Sequence, residues 1–150
     1  MKIIVDYDKE VIRKYHERGS PIFFRITCEH QGTFYPAENW QDFGAVVLGW
    51  WLVILKDMKR WQNKAELSFM DGPYSLRAQY DSVSDLVSIQ PQNQHSKWVV
   101  SYTELASEVS KAATEVGLFL EREGVGQKEV LALRKGVQDL SQEMHGGTLS

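Results

Sequence analysis

An apolar run without any charged side chain occupies the middle of the chain: residues 43–55, FGAVVLGWWLVIL. As a helix this run spans roughly 20 Å, well short of the roughly 30 Å hydrocarbon core of a bilayer. A helix that is apolar on all sides and too short to cross lipid is typical of the buried centre of a globular domain. We therefore predict a central helix that continues towards Met58 or Trp61, with Asp42 as the cap at its start.

Two short strands are predicted before this helix. Residues 22–28 alternate apolar and polar side chains, which is the pattern of a half-buried strand. Gln31-Gly32 indicates a turn into a second strand, and Pro36 ends the pairing because it lacks a backbone donor. For residues 8–18 the pattern leaves two alternatives open, a short helix or part of a further hairpin.

The segment after the central helix predicts a series of strands joined by short links. Asp71-Gly72 suits the tight turn of a hairpin, since both residue types tolerate positive φ angles. Strands are expected on either side of it, and again at 85–90 and 97–102. With the earlier strands, this predicts an antiparallel meander of roughly five or six strands.

Two helices are predicted at the C-terminal end. Thr103 is a suitable N-cap for a helix over 104–123, in which apolar residues recur on one side. A second helix is expected over about 128–144, with residues 145–150 as a frayed tail. The fold class is thus α+β, with an antiparallel sheet meander packed against the central apolar helix and the two C-terminal helices. At 150 residues we expect a single domain, 1–150.

Composition restricts the function classes. The net charge is −3 and no basic run is present, which argues against binding to a nucleic-acid backbone as the main activity. The single cysteine, Cys28, excludes an internal disulfide and fits a reducing compartment. The apolar stretch at the N-terminus is too short for a signal peptide, so we expect a cytoplasmic protein.

No catalytic, cofactor or metal pattern is recognisable. Cys28 and His30 are close in sequence, but Cys28 falls on the apolar face of its strand, where a cysteine acts as a small hydrophobe. No general base is marked for it as a nucleophile. We therefore expect no enzymatic activity, no cofactor and no metal.

The five tryptophans suggest an alternative function. Most are expected in the core, whereas Trp40 and Trp61 are expected to be the most exposed. Exposed aromatic rings would suit a small-molecule or sugar-binding module, which we keep as the second hypothesis.

Three central segments resemble small bacterial α+β proteins that look like immunity proteins of contact-dependent inhibition and other polymorphic-toxin systems. The segments are Trp40-Gln41-Asp42-Phe43, Leu48-Gly49-Trp50-Trp51-Leu52 and Phe69-Met70-Asp71-Gly72-Pro73-Tyr74. The resemblance implies a cytosolic inhibitor that binds one cognate toxin and blocks its active site. It assigns a role to no individual residue.

An acidic surface is expected to hold the partner. Toxins that attack nucleic acids are commonly basic, and complementary charge speeds and orients docking. We therefore predict that the partner is a basic protein, namely a toxin domain, and that it is neither a nucleic acid nor a membrane. The residues predicted to contact it lie in turns of the meander and near a helix C-terminus, where the helix dipole disfavours acids: Asp71, Asp81, Asp85, Glu121 and Glu123.

Overall fold

The computed structural model describes residues 1–17 and 22–146. It contains eight strands and four helices in the described ranges. In chain order these are β1 (Lys2–Asp6), α1 (Lys9–Glu17), β2 (Phe24–His30), β3 (Thr33–Tyr35), β4 (Gln41–Asp42), α2 (Gly44–Arg60), β5 (Lys64–Ser68), β6 (Ser75–Asp81), β7 (Leu86–Pro91), β8 (Trp98–Ser101), α3 (Tyr102–Glu123) and α4 (Gln127–Gly146).

The apolar run forms most of α2, the predicted central helix. Trp51, Leu52 and Leu55 are buried, and the helix packs against α3, α4 and β5. One side of α2 is nevertheless open, since Trp50 and Val53 are exposed. The helix is therefore central without being enclosed on all sides. Within the described ranges, no helix is both long and apolar enough to cross a membrane.

The start of α2 differs from the sequence prediction. The N-cap position is Phe43, and no side chain caps it. Asp42 comes directly before Phe43. The Asp42 carboxylate accepts hydrogen bonds from Phe43 N and from backbone N–H groups that lie outside the first turn of the helix. The prediction of Asp42 as the helix cap is wrong, because this carboxylate is used to join two parts of the fold.

The strands form two antiparallel sheets of four strands each. The first has the order β1-β2-β3, with β4 pairing with the other end of β2. The second is the meander β5-β6-β7-β8. The predicted α+β class, with a meander and two C-terminal helices, is confirmed, but the strands before α2 form their own sheet because that helix separates them from β5. Residues 9–17 form a helix, which settles the alternative left open for that segment.

Helix α3 starts directly after β8. The side chain of Ser101 accepts a hydrogen bond from Glu104 N at 3.0 Å and is the N-cap. The prediction of Thr103 as the cap is wrong, because the helix begins two residues earlier than expected. Gly124, with φ of 68°, ends α3 in the left-handed region. Helix α4 continues to residue 146, so the predicted tail from 145 is helical at its start, and 147–150 lie outside the described residues.

A glycine permits close packing between α2 and α4. A Cβ atom placed on Gly136 would lie 2.8 Å from Leu52 Cδ1 and 3.2 Å from Leu52 Cβ. Gly49 of α2 does not have this role, since no atom lies within 4 Å of a Cβ placed there. Helices α2 and α4 do approach closely, and the glycine that allows this lies on α4.

Candidate functional site

Three central segments, residues 40–43, 48–52 and 69–74, meet at a junction between the two sheets. Asp42 at the end of β4 is fully buried. Its carboxylate accepts hydrogen bonds from Met70 N at 3.1 Å and Asp71 N at 3.2 Å, both in the loop between β5 and β6. It also accepts one from Trp40 Nε1 at 2.9 Å. Four donors on one carboxylate, with Phe43 N as the fourth, compensate for its removal from water.

Aromatic rings pack around this junction. Trp40 meets Tyr74 edge-on with ring centroids 5.0 Å apart, and Trp51 meets Phe69 edge-on at 5.2 Å. Trp51 also donates its indole N–H to Ser68 O at 2.9 Å. The segments therefore hold the sheets and α2 together, and their role in this chain is to fix the fold.

One face of the β5–β8 sheet is not covered by another element of the described residues. On the inner face Leu67, Leu76 and Ile89 are buried against the helices. The opposite side chains are mostly exposed or half-buried. We call this outer side the open face. Its residues form cross-strand rows: Glu66, Arg77 and Gln90; Lys64, Gln79, Ser88 and Val99; and Asp81, Leu86 and Ser101.

The open face is concave and mostly polar. A groove of about 800 Å³ runs over it and includes Arg77, Gln79 and Gln90 in its lining. A neighbouring cleft of about 840 Å³ reaches from Gln79 to the end of α2 and includes Trp61, which is 76% exposed. The combined surface offers charged groups and amides on a rigid sheet.

The turn between β6 and β7 projects from one end of this face. We call residues 81–85 the tip. Val83 is 95% exposed there, between two aspartates. Asp81 accepts a hydrogen bond from Val83 N at 3.0 Å, and this bond, with a further one from Ser84, lowers the pKa of the Asp81 carboxyl. The tip therefore presents an ionised carboxylate next to an exposed apolar side chain.

The second aspartate of the tip is fixed by the sheet and α3. Asp85 has φ of 58°, and its carbonyl accepts Tyr102 N at 2.9 Å. Its carboxylate accepts the Tyr80 hydroxyl at 2.7 Å. Burial and, next, this hydrogen bond raise the pKa of Tyr80 to about 12. The tip is therefore held in one shape despite being a turn.

The structure does not bring the five predicted partner-binding residues onto one surface. Asp81 and Asp85 are together at the tip, whereas Asp71 lies beyond the other end of β6, roughly 20 Å away along the strand. Glu121 and Glu123 lie at the far end of α3, a helix roughly 30 Å long.

Both glutamates of α3 have cationic partners within the chain. Glu123 has a side chain only 7% exposed, and its carboxylate accepts Arg13 Nε at 2.7 Å and lies 3.8 Å from Lys9 Nζ. Glu121 pairs with Arg134. These ion pairs balance the negative charge of the two glutamates near the C-terminus of α3. They offset the unfavourable interaction with the helix dipole that the sequence indicates.

The surroundings of Cys28 and His30 indicate a role in packing for both side chains. Cys28 is buried, and burial raises the pKa of its thiol, so the reactive thiolate is disfavoured. His30 stacks on Trp98 with ring centroids 5.4 Å apart, and partial burial lowers its pKa. Among residues 1–17 and 22–146, no group of three or more His, Cys, Asp or Glu side chains is placed to hold a metal ion.

Sequence reasoning missed the apolar part of the candidate site. Val83 lies in a turn between two serines, so no periodic pattern marks it. Leu86 and Val99 occupy outward positions of β7 and β8, and only the strand register reveals that they share the open face. Trp61 is exposed, as expected. Trp40, which was also expected to be exposed, is half-buried in the junction, whereas Trp50 is exposed.

Comparison with known proteins identifies no relative: no family model, no curated protein and no solved structure matches this chain. The molecule is thus defined by its architecture, an α+β domain with one uncovered, polar sheet face and an acidic tip.

Proposed function

We propose that this protein is an immunity-type inhibitor that binds a cognate bacterial toxin domain in the cytosol and blocks its activity. The observation that carries the proposal is the open face of the β5–β8 sheet, continuous with the tip. A rigid sheet with one free face presents a preformed surface, so little conformational entropy is lost on binding. The resemblance of the three central segments supports the same class.

The tip supplies the anchor of the proposed interface. An exposed Val83 can enter a pocket on the partner, and its burial would contribute about 1.5–3 kcal/mol. Leu86, directly opposite Asp81 in the sheet register, extends the apolar contact onto the open face. Binding energy in protein interfaces is concentrated in a few such buried side chains.

The proposed partner is net basic, and the tip carboxylates orient it. Asp81 is exposed and, like any aspartate with an ordinary or lowered pKa, carries a negative charge at neutral pH. Of the five residues expected to contact the partner, we assign this role to Asp81 and Asp85, which lie together at the tip. Asp71 lies at the opposite end of the sheet, and Glu121 and Glu123 serve ion pairs within the chain.

Growth rescue tests the proposal. A candidate toxin domain, chosen from the genes that neighbour the one for this chain, is expressed in bacteria together with the wild-type protein or with Val83→Glu/Asp81→Lys. We expect wild type to restore growth and the double variant to fail at equal protein levels. Glu38→Lys, an exposed charge reversal before β4, is the control and should rescue fully. Absence of rescue and of binding by wild type would contradict the proposal.

A second candidate function rests on Trp61. This ring lines the cleft beside Asn63 and Gln79, and the Arg60 guanidinium lies 5.4 Å from its centroid. An exposed indole beside amide side chains can stack on a sugar or another small ligand. Quenching of tryptophan fluorescence by a panel of sugars, lost in Trp61→Ala, would support this alternative. An unchanged spectrum across the panel would dismiss it.

A further inference from the structure

The groove on the open face carries positive charge in a chain whose net charge is negative. Lys64, Arg77 and Lys97 line it, and Glu66 is the one acidic residue among its described lining residues. Lys64 and Arg77 occupy outward positions of neighbouring strands, and Lys97 immediately precedes β8. Strands lie about 4.8 Å apart, so the Arg77 and Lys97 backbones are separated by about 10 Å across the sheet.

These cations are weakly engaged within the molecule. The ammonium groups of Lys64 and Lys97 make no ion pair or hydrogen bond with the residues that the structure describes. Arg77 lies 3.5 Å from Glu66, but both side chains are more than half exposed, so the pair contributes little and can be exchanged. Three cations are therefore available to an incoming anionic group.

Amide side chains in the same groove are already ordered. Gln90 Nε2 donates to Gln94 O at 2.9 Å, and Gln92 Oε1 accepts the Ser75 hydroxyl at 3.0 Å. Amides carry both donors and acceptors, so they suit the alternating N–H and C=O groups of an extended polypeptide. Their fixed positions reduce the entropy lost when such a segment binds.

We propose that the groove over β5–β8 binds an extended, carboxylate-rich segment of a protein partner, with Lys64, Arg77 and Lys97 paired to its carboxylates. A protein segment is favoured over a nucleic acid because no aromatic side chain among the described residues of the groove offers a stacking surface for bases. The inference rests on the proposed function and deepens it: the net basic partner presents a local carboxylate-rich segment to the groove, while its basic surface faces the acidic tip. The interface then contains two regions of opposite charge, the basic groove and the acidic tip.

Amide chemical shifts test the proposal. A peptide of alternating Glu and Ser is titrated into the ¹⁵N-labelled protein, with a Lys-Ser peptide and a single-stranded oligonucleotide as separate probes. We expect saturable shifts at Gln79, Ser88 and Gln90 with the acidic peptide alone. Shifts with the oligonucleotide and none with the acidic peptide would overturn the proposal.

Charge reversal identifies the cations. Lys64→Glu/Lys97→Glu should raise the Kd for the acidic peptide at least about tenfold. Lys111→Glu/Lys128→Glu changes the net charge equally on exposed positions of α3 and α4, and should alter the Kd less than about twofold. All four positions are exposed, so both variants should keep the wild-type melting temperature. Equal weakening by the two variants would refute a specific groove.

Discussion

The carboxylate of Asp42 accepts a hydrogen bond from the backbone N–H of Met70, with a donor–acceptor distance of 3.1 Å. This contact joins the end of the first sheet to the loop between the first two strands of the second sheet. Because Asp42 is fully buried, the bond is made away from competing water. This acidic side chain therefore helps to fix the relative placement of the two sheets, together with the aromatic contacts around it.

Replacing this carboxylate by its amide should destabilise the fold. In Asp42→Asn one acceptor oxygen becomes an NH₂ group that faces N–H donors. We expect the free energy of unfolding to fall by about 2–4 kcal/mol. Urea denaturation measures the change, and Glu38→Gln at an exposed site should stay within about 0.5 kcal/mol of wild type. A loss below about 1 kcal/mol for Asp42→Asn would show that the junction does not depend on it.

The buried side of α2 should be far more sensitive than its open side. Leu52→Ala or Trp51→Ala removes a fully buried side chain and should cost about 2–5 kcal/mol. Val53→Ala, on the exposed side of the same helix, should change stability by less than about 0.5 kcal/mol. Thermal or urea unfolding gives both values. A cost under about 1 kcal/mol for both buried sites would refute the central position of the helix.

Two helical glycines should respond to alanine with opposite signs. Gly49→Ala meets no neighbouring atom and should stabilise the protein by about 0.5–1 kcal/mol, because alanine has the higher helix propensity. Gly136→Ala places its Cβ against the buried Leu52 and should destabilise by about 1–2 kcal/mol. Paired urea titrations test this. The same sign for both substitutions would contradict the close approach of α2 and α4.

Stability should fall in alkaline solution partly through Tyr80. Burial and the hydrogen bond to Asp85 raise the pKa of its hydroxyl from 10.0 to about 12, so the unfolded chain loses this proton first as pH rises. The contribution is complete below about pH 10 and is lost between about pH 10 and 12. Unfolding free energies from pH 8 to 12 should decline less steeply in Tyr80→Phe. Identical slopes would contradict the shift.

Local patterns predicted much of this fold from sequence. Helix α2 and the apolar sides of α3 and α4 follow from periodicity, which depends on near neighbours. Strands β5 and β6 pair on either side of Asp71-Gly72 as expected, but neither residue has a positive φ, so the prediction of a tight turn built on such angles is wrong. The division into two sheets was not predicted, because β1 pairs with β2 across α1 and residues 18–21, and no short-range signal specifies that pairing.

The candidate site was predicted less well, for a related reason. Its acidic residues were selected one by one, yet the partner of Glu123 is Arg13, 110 positions away in the chain. Such a pair is visible only in three dimensions. The open face likewise depends on which side of each strand faces the helices, and this is determined by the register of the whole sheet.

The association rate with the toxin domain tests the proposed function most directly. Stopped-flow measurements in about 0.05 and 0.5 M salt compare wild type with Asp81→Lys, with Glu38→Lys as the control. The Debye length shrinks from roughly 14 to 4 Å over this range, so steering by the tip should weaken. We predict that the wild-type rate constant falls by about tenfold and that Asp81→Lys is slower at low salt and less salt-dependent. A salt-independent wild-type rate, or an Asp81→Lys rate equal to wild type, would contradict the account.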